Sequence, residues 1–172
     1  VIFLGCSQGA AGINSLALKL APVFKEKGIK IIHQCGKNSL ESLQEEYKKL
    51  GLAGDELDLF DFDPKIELKM SRADLAISRA GAGMLWELTA NALPSVFVPY
   101  PYAANNHQVF NAKFLVDQNL AKFCFQKGGE IDANEMLNSI NEIDIAQISS
   151  KLSGQIDNGG ARKIADEILK DI

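Results

Sequence analysis

The sequence runs to 172 residues, 47% hydrophobic and 23% charged, which suits one globular core. A formal net charge of −4 offers no cationic footprint for phosphate neutralisation, so nucleic-acid binding is set aside. Three cysteines, Cys6, Cys35 and Cys124, lack C-x-x-C spacing; neither a disulfide framework nor a zinc site is suggested, and a reducing cytosol fits. The apolar runs fall far short of the ~20 residues that span a bilayer. No basic segment precedes an apolar stretch at the start, so a soluble chain is expected, free to lie against a membrane. The chain opens inside a strand, with Val1 in place of Met, which reads as a fragment whose upstream part carries some of the function.

Short β-rich runs alternate with helical patterns. VIFLG (1–5), KIIHQC (30–35), LDLFDF (57–62), DLAIS (74–78), SVFVP (95–99) and AKFCF (121–125) are expected strands. Residues near 9–27, 39–50, 83–92 and 107–118 are expected helices, with Gly28 and Gly51 at the C′ positions. This alternation predicts an α/β fold with a Rossmann-like parallel sheet covered by helices on both faces. After the last strand, ANEMLNSINEI, DIAQISSKL and ARKIADEILKDI have helical spacing without strands between them, and are expected to close the domain. No repeat or linker divides the chain, so residues 1–172 are expected to form a single domain.

Ligands of open parallel sheets bind beyond the carboxyl ends of the strands, so the loops that follow them carry the chemistry. In the first loop, GCSQGA (5–10), Gly5-Cys6-Ser7-Gln8-Gly9 fits both a G-x-S-x-G nucleophile elbow and a phosphate cradle at a helix start. A hydrolase would need a base and an acid, for which His107 and Asp74 have the right chain order. No earlier strand carries an oxyanion loop, however. A ligand-free tight turn is the third reading of these glycines.

The second loop, Ser78-Arg79-Ala80-Gly81-Ala82-Gly83-Met84-Leu85-Trp86-Glu87, combines close backbone approach with a helix N-terminus aimed at the crevice. Glu87, about one turn into that helix, can accept bonds from two ribose hydroxyls, or can stand there for the helix dipole alone. In the third loop, Pro99 and Pro101 hold an extended path, Asn105 or Asn106 can cap the next helix, and His107, Gln108 and Asn111 share a face near its start. Such amides both donate and accept, as sugar hydroxyls require, although a cap with solvated neighbours is equally compatible. Asp61-Phe62-Asp63 could hold a metal on a diphosphate but reads better as an acidic rim, and His33 with Cys35 reads as core and rim.

Together GCSQGA, SRAGAGMLWEL and PYPYAANNHQVFNA resemble, in order and spacing, the C-terminal half of the MurG family of peptidoglycan N-acetylglucosaminyltransferases, over essentially the whole chain. The resemblance implies the C-terminal domain of a GT-B glycosyltransferase, which binds UDP-N-acetylglucosamine. The upstream domain, absent here, would recognise the acceptor, lipid I, at the cytoplasmic face of the bacterial membrane. Transfer with inversion to the acceptor C4 hydroxyl would give lipid II. A second GT-B enzyme using another UDP-sugar, an epimerase, or a non-catalytic nucleotide-binding module are the alternatives.

Carried over by residue, Ser7 and Gln8 would face the diphosphate and the edge of the donor site. Phe62 and the backbone after it, at Asp63, would form the uracil pocket, and Glu87 would hold the ribose. Gly81, Ala82, Gly83 and Met84 would present N–H groups to the phosphates. His107 and Gln108 would reach the N-acetylglucosamine hydroxyls, with Asn111 in support. Many members carry Ser or Thr near Gly83-Met84, often an apolar residue at the place of Asp63, and an amide at that of His107. No cofactor or metal is required by this scheme, since helix N-termini can stabilise the charge on departing UDP. The catalytic base is expected in the upstream domain, so this chain is expected to bind donor without turnover.

Overall fold

The computed structural model describes residues 1–5, 10–156 and 159–170. Its elements begin with β1 (Ile2–Leu4), α1 (Ala11–Glu26), β2 (Ile31–Gln34), α2 (Leu40–Lys49), β3 (Leu57–Phe60), α3 (Ile66–Met70), β4 (Ala76–Ser78) and α4 (Ala82–Ala90). They continue with β5 (Ser95–Phe97), α5 (His107–Asp117), β6 (Ala121–Phe123), β7 (Gln126–Lys127), β8 (Glu130–Ile131), α6 (Ala133–Asn141), α7 (Ile145–Leu152) and α8 (Gly160–Leu169). Every expected strand forms, each shorter than its apolar run.

β1 to β6 make one parallel sheet in the order β3-β2-β1-β4-β5-β6. All residues of β1, β2, β4 and β5 are buried, as continuous apolar runs in a parallel sheet must be when both faces are covered. α1 contacts α2 and α6, while α4 contacts α5, so two separate helix groups do the covering. Ile13, Leu16, Ala17, Leu20 and Phe24 recur at helical spacing and form the buried stripe of α1. Phe24 meets Phe3 of β1 with ring centroids 6.1 Å apart.

Register aligns the strand ends. Leu4 pairs with Gln34 and Ser78, Gln34 with Phe60, and Ser78 with Phe97, so one row crosses the sheet at its carboxyl edge. The chain moves outward from β1 to β3 and then returns to β4 on the other side of β1. The strand order therefore reverses between β1 and β4, the place at which open parallel sheets take ligands beyond their carboxyl ends.

Four helices end alike. After α1, the Ile29 N–H bonds Phe24 O and the Gly28 N–H bonds Lys25 O; after α2, Leu52 bonds Tyr47 O and Gly51 bonds Lys48 O. α4 repeats the pattern with Leu93 to Leu88 O and Ala92 to Thr89 O, and α5 with Leu120 to Leu115 O and Asn119 to Val116 O. These are Schellman motifs, and their C′ residues Gly28, Gly51, Ala92 and Asn119 all have positive φ. The two expected glycines are present, joined by an alanine and an asparagine in the same role.

Three elements, a short helix and the two strands of a hairpin, lie outside the sequence expectation. α3 is a single short helix after Asp63-Pro64, and β7 and β8 form an antiparallel hairpin around Gly128 and Gly129, whose φ values of 57° and 88° suit a tight two-residue turn. Of the closing helices, α6 and α7 bury Met136, Ile148 and Leu152. α8 does not close the domain: it buries no residue, and Ile164 and Ile168 form an exposed stripe one turn apart.

Candidate nucleotide-binding cleft

A cleft of about 450 Å³ opens at the carboxyl edge and gathers Phe62, Asp63, Gly81, Ala82, Gly83, Met84 and Glu87, seven of the residues expected there. Gln34, Pro64 and Ile66 also line it and were not singled out from sequence. A larger cavity, about 870 Å³, lies at the opposite, amino-terminal edge among Val1, Ile31, Leu57 and Asp74. No helix N-terminus of the α/β units points there, so volume alone does not identify the site.

The start of α4 leaves backbone N–H groups open, a chemistry that suits anions. Gly81 is its N-cap, with φ −69° and ψ 141° and no side-chain cap, and the first intrahelical bond runs from Leu85 N–H to Gly81 O. The N–H groups of Ala82, Gly83 and Met84 thus have no partner among the described residues. Neither Gly81 nor Gly83 has positive φ, and a Cβ on either would meet nothing within 4 Å. Conformation and packing both leave room for a side chain; what glycine preserves is access to the helix end. Glu87 lies exposed on the same helix and lines the cleft.

The third loop is placed differently. Gln108 Oε1 accepts from the Tyr100 N–H at 2.8 Å, and Asn111 Nδ2 donates to Ala80 O at 3.0 Å. Asn111 therefore braces the loop that leads into α4. His107 is exposed, its Nδ1 3.0 Å from Ala104 O. None of the three lines the cleft with Glu87. Asn105 and Asn106 do not cap α5 through their side chains; both adopt left-handed backbone, φ 51° and 52°, which short polar side chains tolerate best after glycine. Ser7 and Gln8 lie outside the described residues.

Arg79 follows β4 in the second loop. Its buried guanidinium donates to Gln126 Oε1 at 2.7 Å and Val98 O at 3.2 Å and lies over the Tyr100 ring. It places positive charge at the carboxyl edge and ties β4 to the hairpin.

The acidic and histidine features resolve as structure. Asp58 pairs with Lys69 at 2.8 Å, and Asp63 Oδ1 accepts the Lys65 N–H at 2.9 Å, consistent with a rim that shapes the start of α3. His33 is fully buried, its two ring nitrogens engaged by Tyr47 and Asn14. Asp74 lines the cavity at the amino-terminal edge with Val1 and Ile31, at the opposite end of the strands from Gly81 and Glu87.

Residues 1–149 match the glycosyltransferase family 28 C-terminal domain. The chain is 52% identical over 170 residues to the UDP-N-acetylglucosamine–N-acetylmuramyl-(pentapeptide) pyrophosphoryl-undecaprenol N-acetylglucosamine transferase of Campylobacter fetus subsp. fetus, covering 99% of this chain and 49% of that protein. A Campylobacter jejuni protein of the same name is 50% identical, with 99% and 48% covered. Among solved structures, Acinetobacter baumannii MurG superposes with a TM-score of 0.78 at 30% identity, covering 98% of this chain and 49% of that one. The chain spans about half the length of the relatives it matches. By its sheet, its cleft and this match over most of its length, the chain belongs to the glycosyltransferase family 28 C-terminal domain family, with the fold of a GT-B C-terminal domain.

Proposed function

We propose that residues 1–172 form the donor-binding domain of an inverting N-acetylglucosaminyltransferase, which takes UDP-N-acetylglucosamine and, in a full-length protein, transfers the sugar to lipid I to give lipid II. The observation that carries this reading is the junction of an open α4 N-terminus with Glu87 in one cleft. The names of relatives about 50% identical over the chain support the choice of sugar and acceptor. The α4 N–H groups would hold the diphosphate, Glu87 the ribose, and Phe62 with the Asp63 backbone the uracil. As the glycosidic bond breaks, charge grows on departing UDP, and fixed N–H donors stabilise it without rearrangement. The same reading puts acceptor recognition and the base in the rest of the full-length protein, at the cytoplasmic face of the membrane. Its physiological role would be peptidoglycan synthesis, and through it cell shape and division.

Calorimetric titration with UDP-N-acetylglucosamine, UDP-glucose and UDP tests this. Binding that prefers the N-acetylated sugar supports the reading. Equal affinity for all three favours a nucleotide-binding module, and binding of none removes the donor site.

A further inference from the structure

Gln34 ends β2 at the inner wall of the cleft, and nothing in the sheet explains its side chain. It is 4% exposed, and its Oε1 is buried without a hydrogen-bond partner. Its neighbours in register are Leu4 and Phe60, so an apolar side chain would suit the sheet and avoid an unbonded amide oxygen. Gln34 lines the cleft together with Phe62, Pro64, Ile66 and Glu87. A buried amide oxygen without a partner, on a residue that lines the cleft, points to a ligand-recognition residue.

We infer that Gln34 recognises the nucleoside portion of the bound nucleotide, its amide oxygen accepting one hydrogen bond from a ribose hydroxyl or from the base N–H. The inference rests on the donor-site reading above. The part of the ligand follows from chemistry. Ester phosphates offer only acceptors at neutral pH, and the α4 N–H groups already suit them. Ribose O–H groups and the uracil N3–H are donors, and they belong to the part of the ligand that Glu87 and Phe62 flank.

The test is titration of the native chain and of Gln34→Leu with UDP and UDP-N-acetylglucosamine, alongside thermal melts. Gln34→Leu is expected to bind both ligands about tenfold more weakly while melting no lower than the native chain, because it removes an unbonded polar group. If Gln34→Leu melts lower, the unbranched Gln34→Met replaces it. Because the deoxy analogues also lose a bond to Glu87, the diagnostic is coupling: one of 2′-deoxy-UDP, 3′-deoxy-UDP and N3-methyl-UDP should bind the native chain at least tenfold more weakly than UDP and lose nothing further in the variant. The identity of the analogue separates ribose from base. Native binding of UDP with no change in the variant overturns the role of Gln34 and leaves the donor site standing. A loss confined to UDP-N-acetylglucosamine, or the lack of coupling to any of the three analogues, also overturns it. Failure of the native chain to bind UDP at all instead removes the donor-site reading itself.

Discussion

Asn14 Oδ1 of α1 and His33 Nε2 of β2 stand 3.0 Å apart, and this bond fixes the tautomer of a buried imidazole. Asn14 Nδ2 donates to Cys35 O at 3.0 Å, so its oxygen must accept from His33. Nε2 therefore carries the proton, and Nδ1 accepts from the Tyr47 hydroxyl at 2.9 Å. Burial lowers the His33 pKa to about 3 and pushes the Tyr47 phenol up. The neutral triad joins α1, β2 and α2 beneath the carboxyl edge.

A pH dependence follows. His33 stays neutral in the folded chain down to about 3, whereas an unfolded histidine takes up a proton below about 6.5. The stability held by neutral His33 is complete above pH 6.5 and is lost as pH falls toward 3, at up to about 1.4 kcal/mol per pH unit. Urea melts between pH 7 and pH 5 should show this slope. His33→Gln should be less stable at pH 7 yet flatter across the range; equal slopes in both proteins would assign the effect to other groups.

Ala92 offers a gain in stability. It holds the left-handed C′ position after α4, φ 50°, where α1 and α2 use glycine. An L-residue there costs roughly 1–2 kcal/mol, against about 0.5–1 for the extra entropy glycine loses. Ala92→Gly should raise the unfolding free energy by about 0.5–1 kcal/mol, seen as a higher urea midpoint at unchanged slope. UDP affinity should not change, because the substitution lies at the far end of α4 from the cleft.

The same residues show what was legible in the sequence. Gly28 and Gly51 announce their helix ends because glycine is the residue that left-handed backbone favours, while Ala92 and Asn119 reach that conformation only because the strands that follow demand the turn. The sheet was readable because strands buried on both faces leave unbroken apolar runs. The β7–β8 hairpin was not, since two-residue strands show no alternation, although Gly128-Gly129 was a turn signal. In the cleft, the glycines and Glu87 stood out within one motif. Gln34 did not, because its significance lies in an unbonded atom that only packing exposes. Gln108 and Asn111 were legible as amides near a helix start, but their bonds to Tyr100 and Ala80 were not, since those partners lie 8 and 31 residues away in the chain.

Glu87 should separate binding from stability. Its carboxylate is exposed, so Glu87→Ala should change stability by no more than about 0.5 kcal/mol. Loss of hydrogen bonds to a charged acceptor, about 1.5–3 kcal/mol, should weaken UDP binding roughly 10–100-fold. The 2′,3′-dideoxy nucleotide should bind both proteins alike. A variant that weakens that analogue as much as UDP would take the ribose away from Glu87.

The two glycines at the start of α4 should respond in opposite ways. Gly81 has a backbone conformation open to any residue, and a Cβ there meets nothing within 4 Å, so Gly81→Val should still fold, about 1 kcal/mol less stable because valine is a poorer N-cap than glycine. Its branched side chain would stand beside the N–H groups of Ala82, Gly83 and Met84, and UDP affinity should fall more than tenfold. Gly83 lies inside the helix, where Gly83→Ser should add about 0.5 kcal/mol through propensity. The new hydroxyl is small and can donate to phosphate, so affinity should be kept or raised. Calorimetry and melts on both variants check the pair. Equal loss of binding would mean that bulk at either position blocks the site, and no loss in either would place the diphosphate away from α4.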